Sequence, residues 1–97
     1  MTINFNLTSM TIYVGNINYS LGEEEIRKIF EVIGRIDAIK IVRDKRTGKS
    51  KGFCFIEMPD KKEGMEAIKT LDGQALAGRN LRVLRAHTNK VRVPVMA

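Results

Sequence analysis

The sequence predicts an α+β fold in the order βαββαβ, a four-stranded antiparallel sheet with two helices on one face. Three observations lead there. Four stretches rich in branched and aromatic residues alternate side chains as strands do, and two stretches repeat apolar residues at helical spacing. Their order gives each helix a crossover position between strands, the split βαβ pattern. At 97 residues the chain fits one domain, since a second hydrophobic core has too little material. The folded unit is expected over residues 10–87, after a flexible lead-in over 1–9 and before a tail over 88–97.

The first strand is Met10-Thr11-Ile12-Tyr13-Val14-Gly15, and Asn16 to Ser20 reads as a turn. The first helix opens at Leu21-Gly22 with Glu23, Glu24 and Glu25, negative charge that meets the positive end of the helix dipole. Leu21 and Ile26 have the spacing of a hydrophobic staple, while Ser20 with Glu23 offers a competing capping box. Ile26, Ile29, Phe30 and Ile33 form its apolar stripe, and Gly34 supplies a left-handed stop. Ile36 to Arg43 is the second strand. The loop from Asp44 to Ser50 carries Lys45, Arg46 and Lys49 and is expected to be basic and mobile. Gly52 to Met58 is the third strand, broken by Pro59. Asp60 and Glu63 have capping-box spacing for a second helix whose inner face is Gly64, Ala67, Ile68 and Leu71. Its two small residues permit close approach to a sheet. Asp72-Gly73 and Ala77-Gly78 are turn signals, and Arg79 to Ala86 is the fourth strand. The whole is a ferredoxin-like sandwich.

Charge narrows the function classes. Lys plus Arg is 17 against 11 Asp plus Glu, a formal charge of +6, which suits a polyanionic partner. An apolar fraction of 43% with 2 prolines argues for a folded chain, and no apolar run approaches the ~18 residues of a membrane span. A lone cysteine makes no intramolecular disulfide, and the first ten residues lack a basic start followed by an apolar stretch. The expected compartment is therefore reducing: the cytoplasm in a bacterium, the nucleus or cytoplasm in a eukaryote. One histidine and one cysteine form no zinc cluster and no histidine-centred triad, so neither a metal nor a cofactor is expected. Small phosphatases share this element order and carry an arginine in a glycine loop after the first strand. Gly15-Asn16-Ile17-Asn18-Tyr19 has none, and no Walker-type loop is present, so catalysis is not expected.

A sheet covered on one side sorts its residues by alternation. Ile12 and Val14 turn inward and Tyr13 outward; Cys54, Ile56 and Met58 turn inward, leaving Phe53, Phe55 and Glu57 outward. A slip of one residue would bury Glu57 and expose three apolar side chains, so the register is fixed by chemistry. Of the 4 Phe and 2 Tyr in the chain, three thus fall on one open face. Lys51, Lys40 and Arg82 flank them. Rings that stack on bases, rimmed by cations that neutralise phosphates, suit single-stranded nucleic acid. A broad flat sheet does not enter a duplex groove. Cys54 reads as a small buried hydrophobe and His87 as a surface residue.

Ile12-Tyr13-Val14-Gly15-Asn16-Ile17 resembles the shorter signature of the RNA recognition motif family, and Lys51-Gly52-Phe53-Cys54-Phe55-Ile56-Glu57-Met58 the longer one. Asp44 to Ser50, Leu71-Asp72-Gly73 and Gly78 to Val83 are similar to the family's loop and closing-strand patterns. The short form is similar to small single-motif RNA-binding proteins of bacteria. The resemblance implies that Tyr13 and Phe53 stack on two bases, that Phe55 inserts near the sugars and that Lys51 meets a phosphate. It also implies neighbouring contacts from Asn16 and the strand that holds Arg82 and Leu84. Cys54 stands where the family usually has Gly or Ala, and Met58 where it has Phe or Tyr; both are inward positions. The expected ligand is single-stranded RNA, with single-stranded DNA a second candidate because stacking does not read the 2′-hydroxyl, and the expected action is regulatory or protective. Arg46 and Lys49, on the loop that joins the second and third strands beside the platform, are read either as phosphate contacts or as simply solvated loop charges.

The same face admits another reading. Val91, Val93 and Val95 alternate in the tail, and Leu84 is an apolar outward position that would receive them or a second copy. The chain is then a protein-interaction module or homodimer rather than an RNA-binding monomer.

Overall fold

The structure, a computed structural model, describes residues 9–86. Most of the lead-in, His87, and the tail with Val91, Val93 and Val95 lie outside the described residues. In chain order the elements are β1 (Met10–Gly15), α1 (Glu23–Glu31), β2 (Ala38–Arg43), β3 (Ser50–Met58), α2 (Lys61–Leu71), β4 (Ala75–Leu76), β5 (Arg79–Asn80) and β6 (Arg82–Ala86). The main sheet runs β2-β3-β1-β6, antiparallel throughout, and β4 with β5 makes a separate two-stranded hairpin. The predicted α+β architecture is present, with β3 and β1 at its centre.

The core lies between the sheet and the helices. Ile12 and Val14 of β1, Cys54, Ile56 and Met58 of β3, Val83 of β6, and Ile26 and Phe30 of α1 are all fully buried. Truncating Phe30 to alanine removes a side chain at the centre of this layer and costs about 3–5 kcal/mol. On α2 the buried positions are Gly64, Ala67 and Leu71. A β-carbon at Gly64 would stand 2.8 Å from the Met10 sulfur, so the missing side chain is what lets α2 settle onto β1. Among the described residues no helix is long and apolar enough to cross a membrane.

Several local expectations change on folding. Gly22 is the N-cap of α1, and its backbone N–H donates to Glu25 Oε1 at 2.9 Å. That bond holds the Glu25 carboxyl below the usual carboxylate range. Ser20 is not the cap because its N–H and hydroxyl both donate to Asn18 Oδ1, at 2.9 and 2.8 Å. Asp60 caps α2, accepting from the N–H groups of Lys62 and Glu63 at 2.8 and 3.3 Å. Glu63 does not complete the reciprocal box; its carboxylate accepts from the Arg35 N–H at 3.0 Å instead. Gly34 is absent from the positive-φ positions and so is no left-handed stop. It is a point of close approach, since a β-carbon there would collide with the Glu63 side chain.

The fourth strand is shorter than the sequence suggests. Ala77 and Gly78 take φ of 52° and 83°, a tight turn that folds Arg79-Asn80 back onto Ala75-Leu76. Leu81 then dips into the core at 2% exposure, and the strand that joins the main sheet begins only at Arg82.

Cys54 is fully buried, and desolvation pushes its thiol up to about 12. The thiolate is the reactive form, so the folded protein at pH 8 should resist a disulfide reagent that labels the thiol at once in denaturant. Raising the pH above 9 should weaken the fold through this group, because the unfolded thiol loses its proton near the ordinary 9.0 while the folded one keeps it up to about 12. Rapid labelling of native protein at pH 8 would place the sulfur outside the core.

Candidate nucleic-acid interface

Strand register assembles the open face in rows. Lys40 of β2 pairs with Phe55 of β3, Phe55 with Tyr13 of β1, and Tyr13 with Leu84 of β6, so these four side chains form one line across the sheet. The next row is Ala38, Glu57, Thr11 and Ala86. Tyr13, Phe53 and Phe55 are only partly covered, and Glu57 is exposed, as alternation predicts. Their rings form a closed triangle. The Tyr13 centroid stands 5.8 Å from Phe53 and 5.8 Å from Phe55, and the two Phe centroids are 6.2 Å apart, tilted or edge-on to one another. Such contacts orient rings and leave faces free for a further planar group.

Gly15 makes the Tyr13 position possible. It shares the outward side of β1 with Tyr13, yet it is buried, because the phenol ring lies over it. A β-carbon at residue 15 would meet Tyr13 Cε2 and Cζ at 2.8 Å and collide with the hydroxyl. Sequence reasoning placed no site role on this glycine, although its two-residue spacing from Tyr13 put it on the same face.

The cations surround this triangle. Lys40 ends the ring row on β2, Lys51 heads β3, and Arg82 pairs with Gly15, all exposed. Arg46 and Lys49 are exposed on the loop between β2 and β3. Hydrogen bonds shape this loop. Asp44 Oδ1 accepts from the N–H of Arg46 at 2.8 Å and of Thr47 at 3.1 Å, the Gly48 N–H donates to the Asp44 carbonyl at 2.8 Å, and the Asp44 N–H donates to the Lys49 carbonyl at 2.8 Å. The Thr47 and Arg46 amides hold the Asp44 carboxyl below its ordinary value. An Asx-type turn of this kind projects the lysines and arginine from a fixed base.

Asn16 is occupied. Its φ is 58°, its side-chain oxygen accepts from Arg79 Nε and Nη2 at 3.1 and 2.8 Å, and its amide nitrogen donates to the Asn80 carbonyl at 2.7 Å. It clamps the end of β1 to the β4–β5 hairpin, a link across 63 residues that no local pattern announces. Leu84 is 41% exposed beside Tyr13, so the apolar outward position foreseen on the last strand is present.

Comparison with known proteins agrees with this geometry. The family model described as RNA recognition motif matches residues 12–82. The chain is 38% identical over 80 residues to the human cleavage stimulation factor subunit 2 tau variant, covering 82% of this chain and 13% of that protein. It is 40% identical over 75 residues to the 31 kDa chloroplastic ribonucleoprotein of Nicotiana sylvestris, covering 77% and 24%. It therefore spans less than a quarter of either relative. Among solved structures, the RNA-binding protein PG1 superposes with a TM-score of 0.78 at 38% identity, covering 80% of this chain and 94% of that one. The RNA15 RRM with bound RNA (GU) superposes with a TM-score of 0.73 at 32% identity, covering 79% and 82%.

A methyl group at residue 15 must push the Tyr13 ring aside, and the ring is the end of a side chain that can move. Gly15→Ala should therefore keep the fold while shifting the NMR ring-proton resonances of Tyr13, Phe53 and Phe55. Unmoved aromatic resonances would show that the phenol does not rest on Gly15.

Proposed function

The chain belongs to the RNA recognition motif family, and from that membership we propose that it binds single-stranded RNA across the open face of its sheet. The observation that carries the reading is the ring triangle of Tyr13, Phe53 and Phe55 on the two central strands, uncovered by helices and flanked by Lys40, Lys51 and Arg82. In this reading Tyr13 and Phe53 stack on bases, Phe55 packs against sugars, and Lys51 meets a phosphate. Arg46, Lys49, Lys40 and Arg82 neutralise the neighbouring backbone, Leu84 adds apolar contact, and Asn16 shapes the border. The RNA15 RRM, a structural neighbour, has been seen with RNA bound, which supports the assignment.

Such a platform holds about two to four nucleotides. Binding involves no chemistry, and the biological action is occupancy of transcripts, regulatory or protective, in a compartment that holds RNA: the cytoplasm in a bacterium, the nucleus or cytoplasm in a eukaryote. Single-stranded DNA binds by the same stacking. The monomer is the working form. One observation favours a different use of the face: Leu84 stands exposed beside Tyr13, so a protein segment or a second copy could seat there. Self-association in sedimentation, with no response to RNA, would select that alternative.

Titration of fluorescent single-stranded oligonucleotides tests the proposal. A variant carrying Tyr13→Ala, Phe53→Ala and Phe55→Ala should lose at least about tenfold in affinity, since each stacked base contributes about 1–3 kcal/mol. Equal binding by the two proteins would refute stacking on these rings. Affinity should also fall with salt along a log–log slope near −0.7 per neutralised phosphate, and Lys51→Ala should reduce that slope by about 0.7. A slope unchanged in this variant would remove Lys51 from the phosphate contacts.

A further inference from the structure

On a face built from cations and rings, Glu57 is the one acidic residue that β1, β2, β3 and β6 contain. It is exposed, and among the described residues no lysine or arginine lies within ion-pair distance of it. The one hydrogen bond to its carboxylate among the described residues comes from a neutral group, the Thr11 hydroxyl, which donates to Oε2 at 2.6 Å. That bond fixes the carboxylate without cancelling its charge, and Oε1 has no partner among the described residues.

The surroundings of Glu57 are small. Ala38 and Thr11 stand opposite it on either side, and Ala86 lies beyond Thr11, so the row is a shallow bay beside the row of Phe55 and Tyr13. Two residues of strand separate the rows, roughly 7 Å. A base stacked on the rings therefore reaches the carboxylate with its edge.

A carboxylate repels a phosphate backbone and attracts hydrogen-bond donors. An ionised carboxylate is acceptor-only, with two oxygens side by side. Guanine presents two adjacent donors, N1–H and the N2 amino group, which match those oxygens. Cytosine and adenine each set a ring acceptor beside their amino group, and uracil flanks N3–H with two carbonyl oxygens. We infer that Glu57, held by Thr11, forms a subsite that selects guanine among the bases bound on the sheet. The inference rests on the reading of this face as the RNA surface, and it adds to that reading a preference and the group that imposes it.

The test is titration of five-nucleotide RNAs, oligouridine with a central G, C or A and all-uridine, against wild type, Glu57→Gln and Glu57→Ala. Wild type should bind the guanine-containing RNA about tenfold more tightly than all-uridine, in line with a good bidentate base contact. Both variants, altered at an exposed position, should keep the wild-type melting temperature, bind all-uridine as well as or better than wild type, and reduce the guanine preference to within about twofold. A wild type that binds all four RNAs equally, or a Glu57→Gln protein that keeps the full preference, overturns the subsite while leaving RNA binding in place. Failure of wild type to bind any of the RNAs overturns the sheet-face reading along with it.

Discussion

The pairing of β1 with β3, in a register that sets Tyr13 opposite Phe55 and Ile12 opposite Ile56, is the constraint on which the rest of the molecule depends. Because strand side chains alternate, the same pairing that sends Ile12, Val14, Cys54, Ile56 and Met58 under the helices sends Tyr13, Phe53 and Phe55 to the other side. Core and platform are thus two faces of one choice. A register slip would lose both together, exposing the apolar set and burying a carboxylate that has no counter-ion.

The platform is more than a set of exposed rings. Tyr13 lies on a glycine and leans toward both phenylalanines, so its orientation is set before any ligand arrives. Pre-set geometry reduces the ordering cost of binding. The β2–β3 loop follows the same logic: the Asp44 carboxylate accepts from the backbone amides of Arg46 and Thr47, which sets the loop's shape before a ligand arrives. Charge is also uneven across the face, with Lys40 at one end of the ring row and a single carboxylate among small side chains in the next row. An arrangement of this kind separates where backbone and where base edges can lie.

Most of the architecture was legible along the chain. The element order, the identity of the central strands, and the inward and outward sets of β1 and β3 all follow from short-range periodicity, which survives folding because a buried face enforces it. The departures cluster where distant segments compete for the same polar group. Glu63 had the spacing to cap its own helix, but Arg35 offered it a backbone N–H from another loop. Ser20 had the composition of an N-cap, but Asn18 bound it first. Arg79 and Asn80 read as strand and were, yet a two-residue turn paired them with β4 in place of the main sheet.

The sequence by itself determined the fold class, the aromatic face and its cationic rim, because each is encoded in alternation and composition within a few residues. Only the tertiary structure decided that Asn16 is a clamp, that Gly15 is the bed of Tyr13, and that Glu57 is gripped by Thr11 in a row ended by Ala38 and Ala86. Those facts depend on contacts between residues as many as 64 positions apart, and no local pattern records which of several possible partners a polar side chain will meet.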